Sequence, residues 1–181
     1  MILPPPEKKY DRIAFFGPMA SGKTFCARYL IDKYGYQRMS FAAKLKEVAA
    51  DLLGVTGKDN EGRRALQMLG QSIREIKADA WIDYALKTAP KGKLVVDDLR
   101  YQNEAQALRD EGFIIIRTWV PEEIREGRIT LLYPNMESTA HQHSSETDMF
   151  NIKPDFYVDS WDDMVVSQLD YILSGAYDAE N

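Results

Sequence analysis

Gly17-Pro18-Met19-Ala20-Ser21-Gly22-Lys23-Thr24 is the stretch of this sequence with the clearest chemistry. It fits G-x-x-x-x-G-K-[ST] at every defined position, the pattern of a loop that wraps phosphate groups. The glycines let the backbone fold closely, so that successive N–H groups from Gly17, Ala20, Ser21 and Gly22 point inward at an anion. A helix beginning at the end of the loop adds its positive dipole end. Lys23 then reaches the β- and γ-phosphates of a nucleoside triphosphate, and the Thr24 hydroxyl ligates Mg²⁺. Chance alone produces the pattern in roughly one chain per hundred of this length. Here it follows the apolar run Arg12 to Phe16 and precedes a helical run, the context such a loop requires.

A site of this kind needs a carboxylate at the end of a neighbouring strand, close enough to hold Mg²⁺ directly or through water. Leu94-Val95-Val96-Asp97-Asp98 supplies a candidate pair, with strand parity deciding which aspartate faces inward. Arg125 and Arg128 stand at helical i,i+3 spacing, so both can clamp the charge that spreads over a transferring phosphoryl group. A guanine-reading N-K-x-D segment is missing, and the nearest string, Gly57-Lys58-Asp59, lacks the Asn. That disfavours a GTPase and points to ATP. His141-Gln142-His143 offers two imidazoles without a third ligand, too few for a metal site. Among users of ATP, a small-molecule kinase fits the length better than a motor or assembly ATPase. The nearest alternative is another small-molecule kinase of the same fold, for example one acting on dephospho-coenzyme A; a regulatory ATP binder is the alternative from another class.

The bulk properties are compatible with that chemistry. The chain has 181 residues, 45% hydrophobic and 28% charged, enough for one α/β domain with a full core. A net charge of -5 argues against non-specific nucleic-acid binding, which needs a basic face. The lone Cys26 fits a reducing cytosol, and the apolar runs are too short to cross a bilayer. Residues 1–9 read as an extended tail, and the expected location is the cytoplasm.

Periodicity divides the chain into alternating strands and helices. Strands are expected at Arg12–Phe16, Tyr36–Phe41, Lys93–Val96, Phe113–Val120 and Phe156–Val158. Lys23–Tyr34 reads as a helix closed by Gly35 in a left-handed turn. An amphipathic helix follows, with Leu45, Val48, Ala49, Leu52 and Leu53 on its core stripe. Over Arg63–Ile76, helical spacing assigns Leu66, Leu69, Ile73 and Ile76 to the core and Arg63, Gln67, Gln71 and Arg74 to the opposite face. Further helices are expected over Ala78–Thr88 and Asn103–Asp110, the latter closed by Gly112. From Pro121 to Asn151 the periodicity fades and a long functional loop is expected. Ser160 with Asp163 forms a capping-box pattern before a last helix carrying Val165, Leu169 and Ile172. The alternation predicts a parallel five-stranded sheet covered by helices on both faces.

Several stretches beyond the phosphate loop resemble the phage-type deoxynucleoside monophosphate kinases, within the P-loop nucleoside monophosphate kinase superfamily. Ser40-Phe41-Ala42-Ala43-Lys44-Leu45-Lys46-Glu47 is similar to that family's segment after the second strand. Arg64 to Arg74, with Gln67 and Gly70, resembles its acceptor-side helix. Asp98-Leu99-Arg100-Tyr101-Gln102-Asn103-Glu104 resembles its D-x-R-[FY]-x-N-E signature, and His143-Ser144-Ser145-Glu146 its H-x-S-E motif. Asp155 to Asp159 resembles a closing segment. Gln102 stands where the family often has Pro, and Ser160 where Asn is usual.

The resemblance implies transfer of a phosphoryl group from Mg·ATP to a deoxynucleoside 5′-monophosphate within one domain. Its parts would be an acceptor region at about 40–76 and a lid at about 121–151. The implied catalytic set is Lys23, Asp98, Arg100, Arg125 and Arg128, with Thr24 and Asp98 at the metal. Acceptor contacts are implied for Phe41, Lys44, Arg63, Arg64, Gln67, Arg74, Arg100, His143 and Glu146. The partners implied are small nucleotides, with neither nucleic acid nor membrane, and the resemblance admits a homodimer.

Overall fold

The computed structural model describes residues 10–56, 59–134 and 148–176. The tail at 1–9, the Gly57-Lys58 pair and the 135–147 stretch with His141, His143 and Glu146 lie outside the described residues. Five parallel strands form one sheet in the order β2-β3-β1-β4-β5. They are β1 (Arg12–Phe16), β2 (Gln37–Met39), β3 (Leu94–Val96), β4 (Ile114–Trp119) and β5 (Phe156–Asp159). The strand runs are short and nearly all apolar because both faces of such a sheet are covered.

Side-chain alternation sorts the core into two layers. Ile13, Phe15, Val95, Ile116 and Val158 point to one face, where α1 (Lys23–Tyr34) packs through Cys26, Ala27 and Leu30. The last helix, α7 (Val165–Ser174), lies on that face through Val165, Leu169, Ile172 and Leu173. Ala14, Phe16, Val96 and Ile115 point to the other face, against α4 (Ala80–Thr88) and α5 (Gln102–Asp110). The expected stops hold: Gly35 closes α1 at φ 71° and Gly112 follows α5 at φ 78°.

Four expectations need correction. β2 stops at Met39, because Ser40 and Phe41 already turn into α2 (Ala42–Leu53). Instead of an unbroken loop after Pro121, the chain forms α6 (Glu122–Leu132), in which Ile129 alone is buried. One buried apolar residue leaves no stripe for periodicity to detect. Ser160 does not open a capping box: its side chain is drawn into the phosphate loop, and α7 begins only at Val165.

The core stripes of α2 and α3 (Asn60–Ile76) are the fourth. Only Ala49 is buried in α2, and Leu52 and Leu53 stand in solvent. In α3 the buried residues are Gly62 and Gly70, while Ile76 is 83% exposed. Both helices pack mainly on each other and on α4, away from the sheet, so their apolar faces have little to cover them.

Candidate active site

The phosphate loop leaves the end of β1 and enters α1 through backbone that few residues adopt. Gly17 (φ 150°), Ala20 (φ 62°) and Gly22 (φ 88°) all lie at positive φ. For an alanine, a left-handed conformation costs about 1–2 kcal/mol, so Ala20 is held there by its surroundings. The surroundings are crowded: a Cβ on Gly17 would stand 2.5 Å from Thr118 Oγ1, and one on Gly22 would stand 2.7 Å from Ser160 Oγ.

A buried chain of hydroxyls braces the loop from below. Ser21 Oγ and Thr118 Oγ1 share a hydrogen bond of 2.7 Å, and Thr118 Oγ1 donates to Phe16 O at 3.2 Å. Ser160 Oγ donates to Ser21 O and to Trp119 O. Arg128 of α6 donates to Ser160 O at 2.8 Å and to Ala20 O at 3.3 Å. This arginine of α6 therefore already touches the loop. Lys23 Nζ donates to Gly17 O and Pro18 O, each at 2.7 Å, folding its charge back over the loop. Thr24 is exposed at the first turn of α1. Lys23 and the exposed Thr24 hydroxyl stand together where the loop runs into α1, while the Ser21 N–H, expected to face an anion, donates back to Pro18 O at 3.2 Å.

The two aspartates after β3 are both engaged. Asp97, 4% exposed, pairs with Arg38 at 2.7 Å. Asp98 was expected beside Mg²⁺, but here its carboxylate faces α2. It accepts from Ser40 Oγ (2.6 Å), Ala42 N (3.0 Å) and Phe41 N (3.3 Å). Phe41 at the N-cap provides no side-chain acceptor, so the orphan N–H groups of α2 take one from β3 instead. Among the described residues no three His, Cys, Asp or Glu side chains group as a metal site.

A second cationic assembly forms beyond β3. Glu104, 3% exposed, accepts from the backbone N–H groups of Arg100 (2.9 Å) and Tyr101 (3.1 Å). Arg74 of α3 stands 3.6 Å from its other oxygen, with the guanidinium 4.3 Å from the Tyr101 ring centroid. Burial pushes the Glu104 carboxyl up to about 7, against the lowering effect of the two N–H groups and Arg74. The turn that presents Arg100 is thus fixed from beneath, and Arg100 itself is exposed. Glu104 belongs to the recognised signature, but nothing in the spacing reveals that it would be buried under two of the arginines.

The remaining expected contacts disperse. Arg63 stacks on Tyr133 at 4.6 Å, joining α3 to the end of α6. Arg64 and Gln67 are exposed on α3. Phe41 is 4% exposed within the core layer, and Lys44 bonds Glu47 at 2.5 Å beside the Tyr84 ring. Neither is presented as an open contact. Arg125 bonds Glu122 within α6.

Comparison with known proteins supports the fold and gives one lead to chemistry. No family model matches the chain. A protein of Acanthamoeba polyphaga mimivirus named "Putative deoxynucleotide monophosphate kinase" is 25% identical over 138 residues, covering 58% of this chain and 72% of that one. A "putative kinase" of Chloroflexus aurantiacus superposes with a TM-score of 0.55 at 15% identity, covering 96% of this chain and 99% of the other. Shikimate kinase of Acinetobacter baumannii, in complex with shikimate, superposes with a TM-score of 0.51 at 15% identity over 93% of this chain and 96% of its own. At such identities the likeness is one of fold: the chain has the α/β P-loop NTPase fold shared with these kinases.

Proposed function

We propose that this protein transfers the γ-phosphoryl group of Mg·ATP to a deoxynucleoside 5′-monophosphate, giving the diphosphate and ADP. The observation that carries the reading is the Arg74–Glu104–Arg100 assembly at the strand next to the one that ends in the phosphate loop. A domain that only bound ATP would have no use for a second, braced cationic site on the same edge of the sheet. The likeness to the mimivirus protein supports a nucleotide as the acceptor.

In this reading the loop and Lys23 hold the donor phosphates, and Thr24 would be the protein ligand of Mg²⁺, which supplies charge neutralisation between the phosphates. Arg74 and Arg100 hold the acceptor phosphate. One of its oxygens attacks the γ-phosphorus in line, the bond to the β–γ bridging oxygen breaks, and ADP leaves. No general base is needed, because the second pKa of a phosphate monoester is about 6 and the attacking oxygen is already anionic. Arg128, held against the loop carbonyl of Ala20, and Arg125 lie on the lid helix and close over the transferring group. Asp98 ties the start of the acceptor region to β3. His143 and Glu146 are retained as lid contacts to the nucleotide.

The test is an assay of ADP formation from Mg·ATP with a panel of deoxy- and ribonucleoside monophosphates and dephospho-coenzyme A. Acceptor-dependent turnover with deoxynucleotides is the expected result. Turnover only with dephospho-coenzyme A, or none with ATP still bound, would overturn the assignment.

A further inference from the structure

Three arginines lie within the strands, and they are not treated alike. Arg12 on β1 pairs with Glu111 at 2.8 Å, and Arg38 on β2 pairs with Asp97 at 2.7 Å. Arg117 on β4 has neither a carboxylate partner nor a hydrogen-bond acceptor among the described residues. Its guanidinium carbon instead lies over two rings, 6.0 Å from the centroid of Phe16 and 5.9 Å from that of Phe150. Rings can hold the flat face of a guanidinium but leave its five N–H donors without acceptors. Arg117 is half-buried, so water cannot fully replace them.

Its place in the sheet says what the acceptor could be. Arg117 pairs with Phe16, the residue before Gly17, so it stands at the carboxyl edge where the phosphate loop leaves β1. Ligands of open α/β sheets bind along that edge. By the period of two it shares a face with Ile115, the face of α4 and α5. Met149 and Ile152, flanking Phe150, belong to the same core layer. Leu99, which precedes Arg100, is in that layer as well. The loop's helix α1 covers the opposite face. Arg117 is therefore a strand-borne cation beside the donor loop but on the acceptor side of the sheet.

We propose that Arg117 contacts the phosphate of the acceptor nucleotide, on a rigid strand, where Arg74 and Arg100 approach it from a helix and a turn. The assignment rests on the monophosphate kinase reading above. Phe16 and Phe150 flank the guanidinium at ring distance, and the acceptor phosphate satisfies N–H groups that have no acceptor among the described residues.

The experiment compares wild type, Arg117→Met and Arg117→Lys. The first keeps much of the apolar stem and removes the charge; the second keeps the charge and loses the planar fork. Steady-state kinetics with each monophosphate are read beside calorimetric binding of the same monophosphates and of a non-hydrolysable ATP analogue, with melting curves as a folding control. Arg117→Met should raise KM and Kd for the monophosphate at least tenfold, with affinity for the ATP analogue within twofold and an unchanged melting transition. Arg117→Lys should recover part of the loss. Monophosphate KM and Kd within twofold of wild type in the folded Met variant would overturn the proposal, as would an equal loss of ATP affinity, which would move Arg117 to the donor loop. Wild type that turns over no nucleotide sinks the kinase reading itself. The binding arm then still judges Arg117, and wild type that binds no monophosphate removes both.

Discussion

The half of this molecule around the phosphate loop and the half built from α2 and α3 are constructed differently. Around the phosphate loop, buried side chains of the strands, α1 and α7 form one apolar layer, and a chain of hydroxyls runs beneath Ser21. Across β3, α2 and α3 bury little: one alanine and two glycines are their fully covered residues. That half is pinned at polar points instead, Asp98 to the start of α2, Glu104 to Arg74, and Trp81 Nε1 to Gly70 O at 3.2 Å. Dense packing fixes a site in one geometry, whereas a few charged pins leave a region that can close around a ligand. Local stability should follow the same division, with amide exchange faster in α2 and α3 than in α1.

Removing the charge at the centre of the dense half has the largest expected effect. Lys23→Ala should lower kcat/KM by about 10³ or more, the scale at which charge stabilisation of a transferring phosphoryl group operates. The melting transition should stay near that of wild type, because Lys23 Nζ donates to the loop carbonyls of Gly17 and Pro18 and the residue lies outside the core. Near-normal turnover would remove the donor site from this loop.

Gly22→Ala probes the brace rather than the charge. The added Cβ meets Ser160 Oγ at 2.7 Å and Cβ at 2.8 Å, in backbone at φ 88°. Strain and overlap together should cost about 2–3 kcal/mol and weaken ATP binding by roughly 30- to 100-fold. Adding Ser160→Gly should restore part of the affinity by relieving the overlap while the backbone strain remains. If the double variant binds no better than the single one, Ser160 does not brace the loop.

The two halves also differ in how far they can be read from sequence. The loop, its strand and its helix are local, so spacing alone identifies Gly17, Lys23 and Thr24. The brace joins residues 97 and 139 positions apart, Ser21 with Thr118 and with Ser160, and ordinary serines and threonines carry no local signature. On the acceptor side, the signature around Asp98, Arg100 and Glu104 was legible as a resemblance, but the burial of Glu104 beneath Arg74 depends on how α3 meets α5. Arg117 was invisible for the same reason: one arginine in an apolar strand reads as an edge residue until its missing partner is seen. The helix α6 escaped because it buries only Ile129, too little to leave a periodic stripe.

A single carboxylate tests the pins. Glu104→Gln should raise the acceptor KM about tenfold, the scale of losing charge-assisted bonds, with ATP affinity unchanged. The pH dependence carries the sharper signature. The folded carboxyl titrates at about 7, above an ordinary glutamate near 4.5, so the protonated form contributes stability that is complete below 4.5 and lost as pH rises through 7. Acceptor binding runs the other way, since only the ionised form attracts Arg74. Wild-type acceptor KM should therefore fall between pH 6 and 8 by more than ionisation of the nucleotide explains, and Glu104→Gln should keep only the nucleotide's own dependence. Identical profiles would mean that Glu104 packs the turn without positioning the arginines.

The smallest expected effect separates helical pattern from actual burial. Ile76 falls on the apolar arc of α3, and a pattern reading makes it a core residue whose replacement by serine would be severe. In the structure it ends the helix at 83% exposure. Ile76→Ser should then change unfolding free energy by less than about 0.5 kcal/mol, as surface substitutions do. Leu30→Ala, at a fully buried position of α1, should cost about 2–5 kcal/mol. Chemical denaturation of both variants measures the contrast directly. A loss above about 1.5 kcal/mol at Ile76 would show that something covers the end of α3 in solution, and the α2–α3 half would then be as firmly packed as the half around the phosphate loop.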